Sequence, residues 1–222
     1  MSRIGLIRVL STDDDELLNS HGKLLEAFIA DPGLRVVSRC IQGHPKGLWN
    51  SEEEQKALPK IVHLGREMVH EDRVAALLVS CVADPGVPEL REALQVPVIG
   101  AGSASAAVAL ALGRRVGALS IVPGVLAPIA NVLGHHLVGW EVPEGVTTTV
   151  DLMSGEGRGR FVRASERLKG QGAEVILLAC TGFSTIRIAP FLEERVGLPV
   201  LDPVIAAGLA AYYAAVGNRR AS

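Results

Sequence analysis

The chain has 222 residues, 48% of them hydrophobic, 21% charged and only 4% aromatic, with a formal net charge of −2. A charge this close to neutral offers no field that gathers nucleic acid or an anionic membrane, and no apolar run approaches the ~20 residues of a transmembrane helix. With so few aromatic residues, Val, Leu, Ile and Ala must build the core, a composition suited to buried parallel strands covered by helices.

Short apolar runs alternate with longer helical patterns along the chain. Residues 4–9 read as a strand. The acids Asp13, Asp14, Asp15 and Glu16 follow at a helix start, where the helix dipole favours them. The opening segment lacks the apolar core and small-residue cleavage site of a signal peptide, so a cytoplasmic location with reduced thiols is expected. Residues 35–41 form a second strand and 52–70 a long amphipathic helix. Residues 74–80 form an almost wholly apolar third strand that ends at Cys81. Residues 96–99 make a fourth strand and 102–112 a helix of small residues. The order then restarts with strand 116–121, helix 126–133, strand 137–142 and helix 157–169. Apolar strand 175–179 ends at Cys180, and short strand 199–201 and helix 205–215 close the chain. Strands alternating with helices mean βα units and parallel sheets.

The restart is an internal repeat. Arg3-Ile4-Gly5-Leu6-Ile7 matches Arg115-Val116-Gly117-Ala118-Leu119, residues 74–81 match 173–180, and Val96-Pro97-Val98-Ile99 matches Leu198-Pro199-Val200-Leu201. The expected fold is therefore α/β with two similar lobes. Each is a parallel sheet flanked by helices, and a pseudo-two-fold axis relates them, with the active site in the cleft between. The pattern restarts near Gly113. Lobe 1 is assigned to residues 1–100, completed by 203–222 folding back onto it, and lobe 2 to residues 101–202.

Each lobe carries one cysteine at the C-terminal end of its third strand, the side of an open parallel sheet where ligands bind. Lobes facing each other would bring Cys81 and Cys180 to opposite faces of one small substrate. A two-base racemase needs that geometry: one thiolate removes a proton from a carbon, and a thiol returns one on the other face. A helix N-terminus favours the thiolate, and both cysteines precede one. Asp84 and Pro85 suit the N-cap and first helical position after Cys81, and Thr181 or Ser184 the cap after Cys180. A structural cysteine copied by duplication leaves the same pattern, so both readings stay open. Cys40 has no repeat partner and reads as a small buried residue.

On these residues the chain resembles the aspartate/glutamate/hydantoin racemase superfamily of cofactor-independent, two-cysteine enzymes. Cys81-Val82-Ala83-Asp84-Pro85-Gly86 is similar to the first cysteine motif of hydantoin and allantoin racemases. Ala179-Cys180-Thr181-Gly182 is similar to the second motif of the superfamily, and Val96-Pro97-Val98-Ile99-Gly100 and Asp202-Pro203-Val204 extend the likeness over nearly the whole chain. The resemblance implies a racemase or epimerase of a small amino acid, hydantoin or related acid, with Cys81 and Cys180 catalytic. Val82, Ala83, Ser103, Thr181 and Gly182 would line its pocket. It also implies no metal, no pyridoxal or other cofactor, a small-molecule substrate as the only ligand class, and a homodimer or higher homo-oligomer. Two departures bear on the substrate. The Asn-Thr that usually follows the first cysteine of the amino-acid racemases is absent. Arg8-Val9-Leu10-Ser11-Thr12 stands where hydantoin racemases carry an Asn-Pro-Asn-Thr-type loop. Arylmalonate decarboxylases and maleate isomerases share the scaffold. A one-thiol decarboxylase or cis-trans isomerase, and a non-catalytic binder of small acids, are the alternatives.

The remaining candidates each have two readings. Arg8 suits bidentate pairing with a substrate carboxylate, or a place at the sheet edge, and Arg39 shares that ambiguity. Ser11 and Thr12 suit substrate binding, or capping of the helix that begins at Asp13. Ser103 suits the pocket or an N-cap. The hydroxyls of Thr147, Thr148 and Thr149 suit a ligand or a solvated loop. Gly155-Glu156-Gly157-Arg158-Gly159 lacks the Lys-Ser/Thr of a phosphate loop and reads as a helix approach. The six histidines show no metal spacing.

Overall fold

In the computed structural model, which describes residues 2–48, 50–146 and 158–220, strands and helices alternate in two rounds. The first round is β1 (Ser2–Arg8), α1 (Asp15–Ile29), β2 (Leu34–Cys40), α2 (Ser51–His70), β3 (Ala76–Ser80), α3 (Val87–Ala93), β4 (Val98–Gly100) and α4 (Ala101–Leu112). The second is β5 (Val116–Ser120), α5 (Ala127–Leu133), β6 (Leu137–Glu141), α6 (Arg158–Gly170), β7 (Val175–Ala179), α7 (Gly182–Thr185), α8 (Ala189–Val196), β8 (Val200–Leu201) and α9 (Pro203–Arg220). They form two all-parallel sheets of the same order, β2-β1-β3-β4 and β6-β5-β7-β8, so the two-lobed α/β expectation holds. The loop of Thr147, Thr148, Thr149 and Asp151, and the glycines up to Gly157, lie outside the described residues. No helix of the described residues is long and apolar enough to cross a membrane.

The inner strands show why apolar runs without alternation became strands. Every residue of β3, β5 and β7 is buried, as it must be when helices cover both faces of a sheet. Successive side chains still part to opposite sides. Leu77 and Val79 pack with Ile61, Leu64 and Leu90 under α2 and α3, whereas Ala76 and Leu78 pack with Leu25, Val204 and Ala207 under α1 and α9. In the second sheet Ile176 and Leu178 face Phe161, Leu168 and Leu192 of α6 and α8, and Val175 and Leu177 face Ala106, Ala109 and Ile129 of α4 and α5.

Two helices of small residues cross over. α4 leaves the first sheet and packs on α5 and β7 of the second; α9 leaves the second and packs on α1, β1 and β3 of the first. They also pack on each other, and their small side chains permit that close approach. At Gly208 a Cβ would collide with the side chain of Leu25, and at Gly102 with the backbone carbonyl of Val82. The second contact concerns the site, because Val82 follows Cys81.

Candidate active site

Both sheets reverse direction of travel at the same place. From β1 the chain moves outward to β2, and from β3 outward to β4 on the other side. The gap between β1 and β3 is therefore a switch point, open at the strands' C-terminal ends, where a ligand fits. Register places Arg8 beside Ser80 there, and Ser120 beside Ala179 at the matching point of the second sheet. Cys81 and Cys180 are the next residues. Both line one cavity of about 310 Å³, together with Arg8, Val82, Ala83, Thr181 and Gly182. That volume lies at the low end of small-molecule sites.

A backbone amide acts on each sulfur. The Gly182 N–H donates to Cys180 Sγ at 3.4 Å, and the Ala83 N–H is directed at the Cys81 sulfur. Each thiol thus faces the backbone amide two residues on, a donor that favours the thiolate. At Cys81 this is outweighed. Burial pushes its pKa up to about 12, and the negative charges of Cys180, Asp84 and Glu54 act in the same direction. The expectation that a helix start lowers this pKa is therefore corrected: desolvation exceeds the amide's contribution.

The reason lies partly in Asp84. It does not cap the helix that follows it. α3 begins later, behind Gly86 in the left-handed conformation, with Pro88 rather than Pro85 in its first turn. Asp84, itself at φ +50°, reaches instead to α4, accepting from the Gly102 N–H at 2.6 Å and the Ser103 N–H at 2.9 Å. Ser103 is thus neither a cavity-lining residue nor an N-cap, because Asp84 holds its amide and hydroxyl. In the second lobe Asp202 does similar work. It accepts from the N–H groups of Val204 and Ile205 at the start of α9 and from Ser184 Oγ at 2.7 Å. The Thr181 hydroxyl makes no cap. It donates across the lobes to the Ser80 carbonyl at 3.2 Å, joining the residue after Cys180 to the residue before Cys81.

A second tie between the lobes is His21, 1% exposed on α1. Its Nδ1 meets Ser80 Oγ and its Nε2 meets Thr185 Oγ1, both at 2.9 Å. Burial holds its pKa well below 6.5, and the nearby Arg8 charge acts the same way. The unfolded chain takes up a proton below pH ~6.5 that the folded chain refuses. This stability is complete above that pH and is lost as pH falls through the window, by up to ~1.4 kcal/mol per unit. Equilibrium unfolding of wild type and His21→Gln between pH 7.5 and 5 should therefore show the steeper decline in wild type. Contributions from other groups cancel in the comparison; equal slopes would refute the assignment.

Arg8 Nη1 is bound to the Leu17 carbonyl at 2.8 Å and Ser20 Oγ at 3.1 Å, and burial brings its pKa down to about 10. The guanidinium is thus fixed on α1, and Arg8 also forms part of the cavity wall. Ser11 is outside the cavity lining and does not cap α1, which Asp14 caps through the Glu16 and Leu17 N–H groups. Its hydroxyl donates to the Ile41 carbonyl at 2.8 Å and accepts from the His44 N–H at 2.6 Å, pinning the loop after β2. That loop supplies Gly47 and Leu48 to the cavity wall. Arg39 pairs with Glu67, Glu71 and Asp72. Sequence reasoning missed Glu54 and the wall of Ile121, Val122 and Leu126. Glu54 sits in an acidic run that reads simply as a helix start.

The profile of the Asp/Glu/hydantoin racemase family matches residues 4–211. A hydantoin racemase of Pseudomonas sp. (strain NS671) is 26% identical over 171 residues, covering 73% of this chain and 66% of its own, so the match spans about two-thirds of that relative. Among solved structures, allantoin racemase from Klebsiella pneumoniae superposes with a TM-score of 0.82 at 24% identity, over 98% of this chain and 89% of its own. A liganded variant of arylmalonate decarboxylase superposes with a TM-score of 0.68 at 21% identity, over 98% and 94%.

Proposed function

The chain belongs to the Asp/Glu/hydantoin racemase family, and we propose that it is a PLP-independent racemase or epimerase of a small hydantoin, amino acid or related acid, working through two thiols. One observation carries this reading: Cys81 and Cys180, equivalent in the two lobes, line the same small cavity, each with a backbone amide at its sulfur.

In the free enzyme Cys81 is a neutral thiol, given its raised pKa, and is the proton donor. Cys180, as thiolate, takes the proton from the carbon alpha to the carbonyl, and the electron pair of that C–H bond passes into the enolate. Cys81 delivers its own proton to the opposite face and becomes the thiolate. The pair has then exchanged roles and is set to turn over the other enantiomer. The fixed charge of Arg8 stabilises the developing enolate from the cavity wall, a task suited to a preorganised cation.

The relatives' names favour hydantoin-type substrates, and the substituted loop at residues 8–12 marks a pocket of different shape. The fold shared with arylmalonate decarboxylase carries a second reading, in which one thiol protonates the carbanion left by loss of CO2. The presence of both cysteines in the cavity favours racemisation. Incubation with enantiopure 5-substituted hydantoins, amino acids and arylmalonates, with no cofactor added, tests the choice. Decay of optical rotation without CO2 release is expected; CO2 release from malonates with rotation of the others unchanged would reverse it.

A further inference from the structure

The first turn of α2 presents three successive acids, and their surroundings differ. Glu52 meets Lys56 at 2.7 Å. Glu53 meets Lys56 at 3.1 Å and His44 at 3.0 Å. The Glu54 carboxylate has no hydrogen-bond or ion-pair partner among the described residues, and Glu54 lines the cavity that holds both cysteines. It is the only carboxylate among that cavity's described lining residues, and the only cationic side chain there, Arg8, is bound to α1. The Glu54 charge acts on the Cys81 thiol, and both residues line the same cavity. Partial burial raises its own pKa, with no opposing interaction to lower it.

An ionised carboxylate can only accept hydrogen bonds. Its complement is a donor, and a second carboxylate brought beside it is repelled. We propose that Glu54 is the specificity residue of this site, accepting a hydrogen bond from a substrate N–H adjacent to the reacting carbon. The site then selects nitrogen-bearing compounds over dicarboxylic acids. This assignment rests on the racemase reading and narrows it: the N–H of a hydantoin ring or of an amide is accommodated, and the second carboxylate of a malonate is not.

Calorimetric titration of wild type, Glu54→Gln and Glu54→Ala tests the proposal. The ligands are a 5-substituted hydantoin, the same compound methylated on the ring nitrogen next to C5, and phenylmalonate. Thermal melts establish that both variants are folded. Loss of a charge-assisted hydrogen bond predicts that Glu54→Ala binds the N–H compound about 10- to 100-fold more weakly, while its affinity for the N-methyl compound stays within about twofold. Glu54→Gln, which keeps the shape without the charge, is expected to fall between wild type and Glu54→Ala for the N–H compound and to bind phenylmalonate more tightly than wild type does. Equal affinity of wild type and Glu54→Ala for the N–H compound, or no binding of it by wild type, overturns the proposal. Deuterium exchange at C5, measured in parallel, separates the two readings. Glu54-dependent binding without exchange sinks the racemase reading alone. Exchange with unchanged kcat/KM in both variants sinks the Glu54 assignment alone.

Discussion

Cys81→Ser and Cys180→Ser are each expected to lower kcat for racemisation by about 10²–10⁴-fold, and the double variant by little more than either one. The thiols act in series within one turnover, one removing a proton and the other returning it, so losing either stops the cycle. Serine keeps the shape but is far too weak an acid to supply its alkoxide near neutral pH. Both cysteines are at the ends of well-packed strands, with Val79 and Leu178 buried beneath them, so the folded state should survive. The measurement is decay of optical rotation from each enantiomer, with thermal unfolding as control. A single variant that keeps the wild-type rate in both directions contradicts the paired mechanism.

The second large effect concerns the reactivity of Cys81 in the free enzyme. Raising its pKa from 9.0 to about 12 leaves roughly a thousandfold less thiolate at neutral pH, three pKa units being three decades. The greater nucleophilicity of the more basic thiolate recovers part of this, leaving alkylation roughly 50-fold slower than for an ordinary thiol. Iodoacetamide labelling followed by mass spectrometry of the Cys81 peptide should show that slow rate, climbing about tenfold per pH unit up to at least pH 10. Rapid labelling at pH 7 that is already level with pH would mean that Cys81 rests as a thiolate, and the donor role assigned to it would pass to Cys180.

The two-sheet architecture was legible in the sequence because the repeat sits in the inner strands. Residues 74–80 and 175–179 are apolar at nearly every position, and only a strand covered on both sides buries them all. The cysteines were legible for the same reason: each is the first residue past the buried run. Less visible was whatever depends on contacts far along the chain. Asp84, followed by Pro85 and Gly86, has every local mark of an N-cap, yet its carboxylate serves a helix 18 residues later. Gly86 at φ +73° turns the chain before α3 can start at Asp84. Ser11 has similar marks and instead holds a loop that follows another strand. His21 is a lone histidine in a helix of mixed polarity, and nothing local foretells that it joins Ser80 to Thr185. Glu54 was hidden by its neighbours, since three adjacent acids at a helix start already have an electrostatic explanation.

The claim on which the rest depends is that two separate thiols serve the two faces of the carbon. Its most direct test is a racemisation in D2O started from one enantiomer of a turned-over hydantoin, with the uncatalysed exchange subtracted and isotopes read during the first few per cent of conversion. The account predicts that the newly formed enantiomer carries deuterium at the alpha carbon from the outset, because its proton comes from a thiol equilibrated with solvent, while the unreacted enantiomer still carries hydrogen. Deuterium entering the starting enantiomer as fast as the product forms would instead mean that one group serves both faces, and would contradict the pair of Cys81 and Cys180.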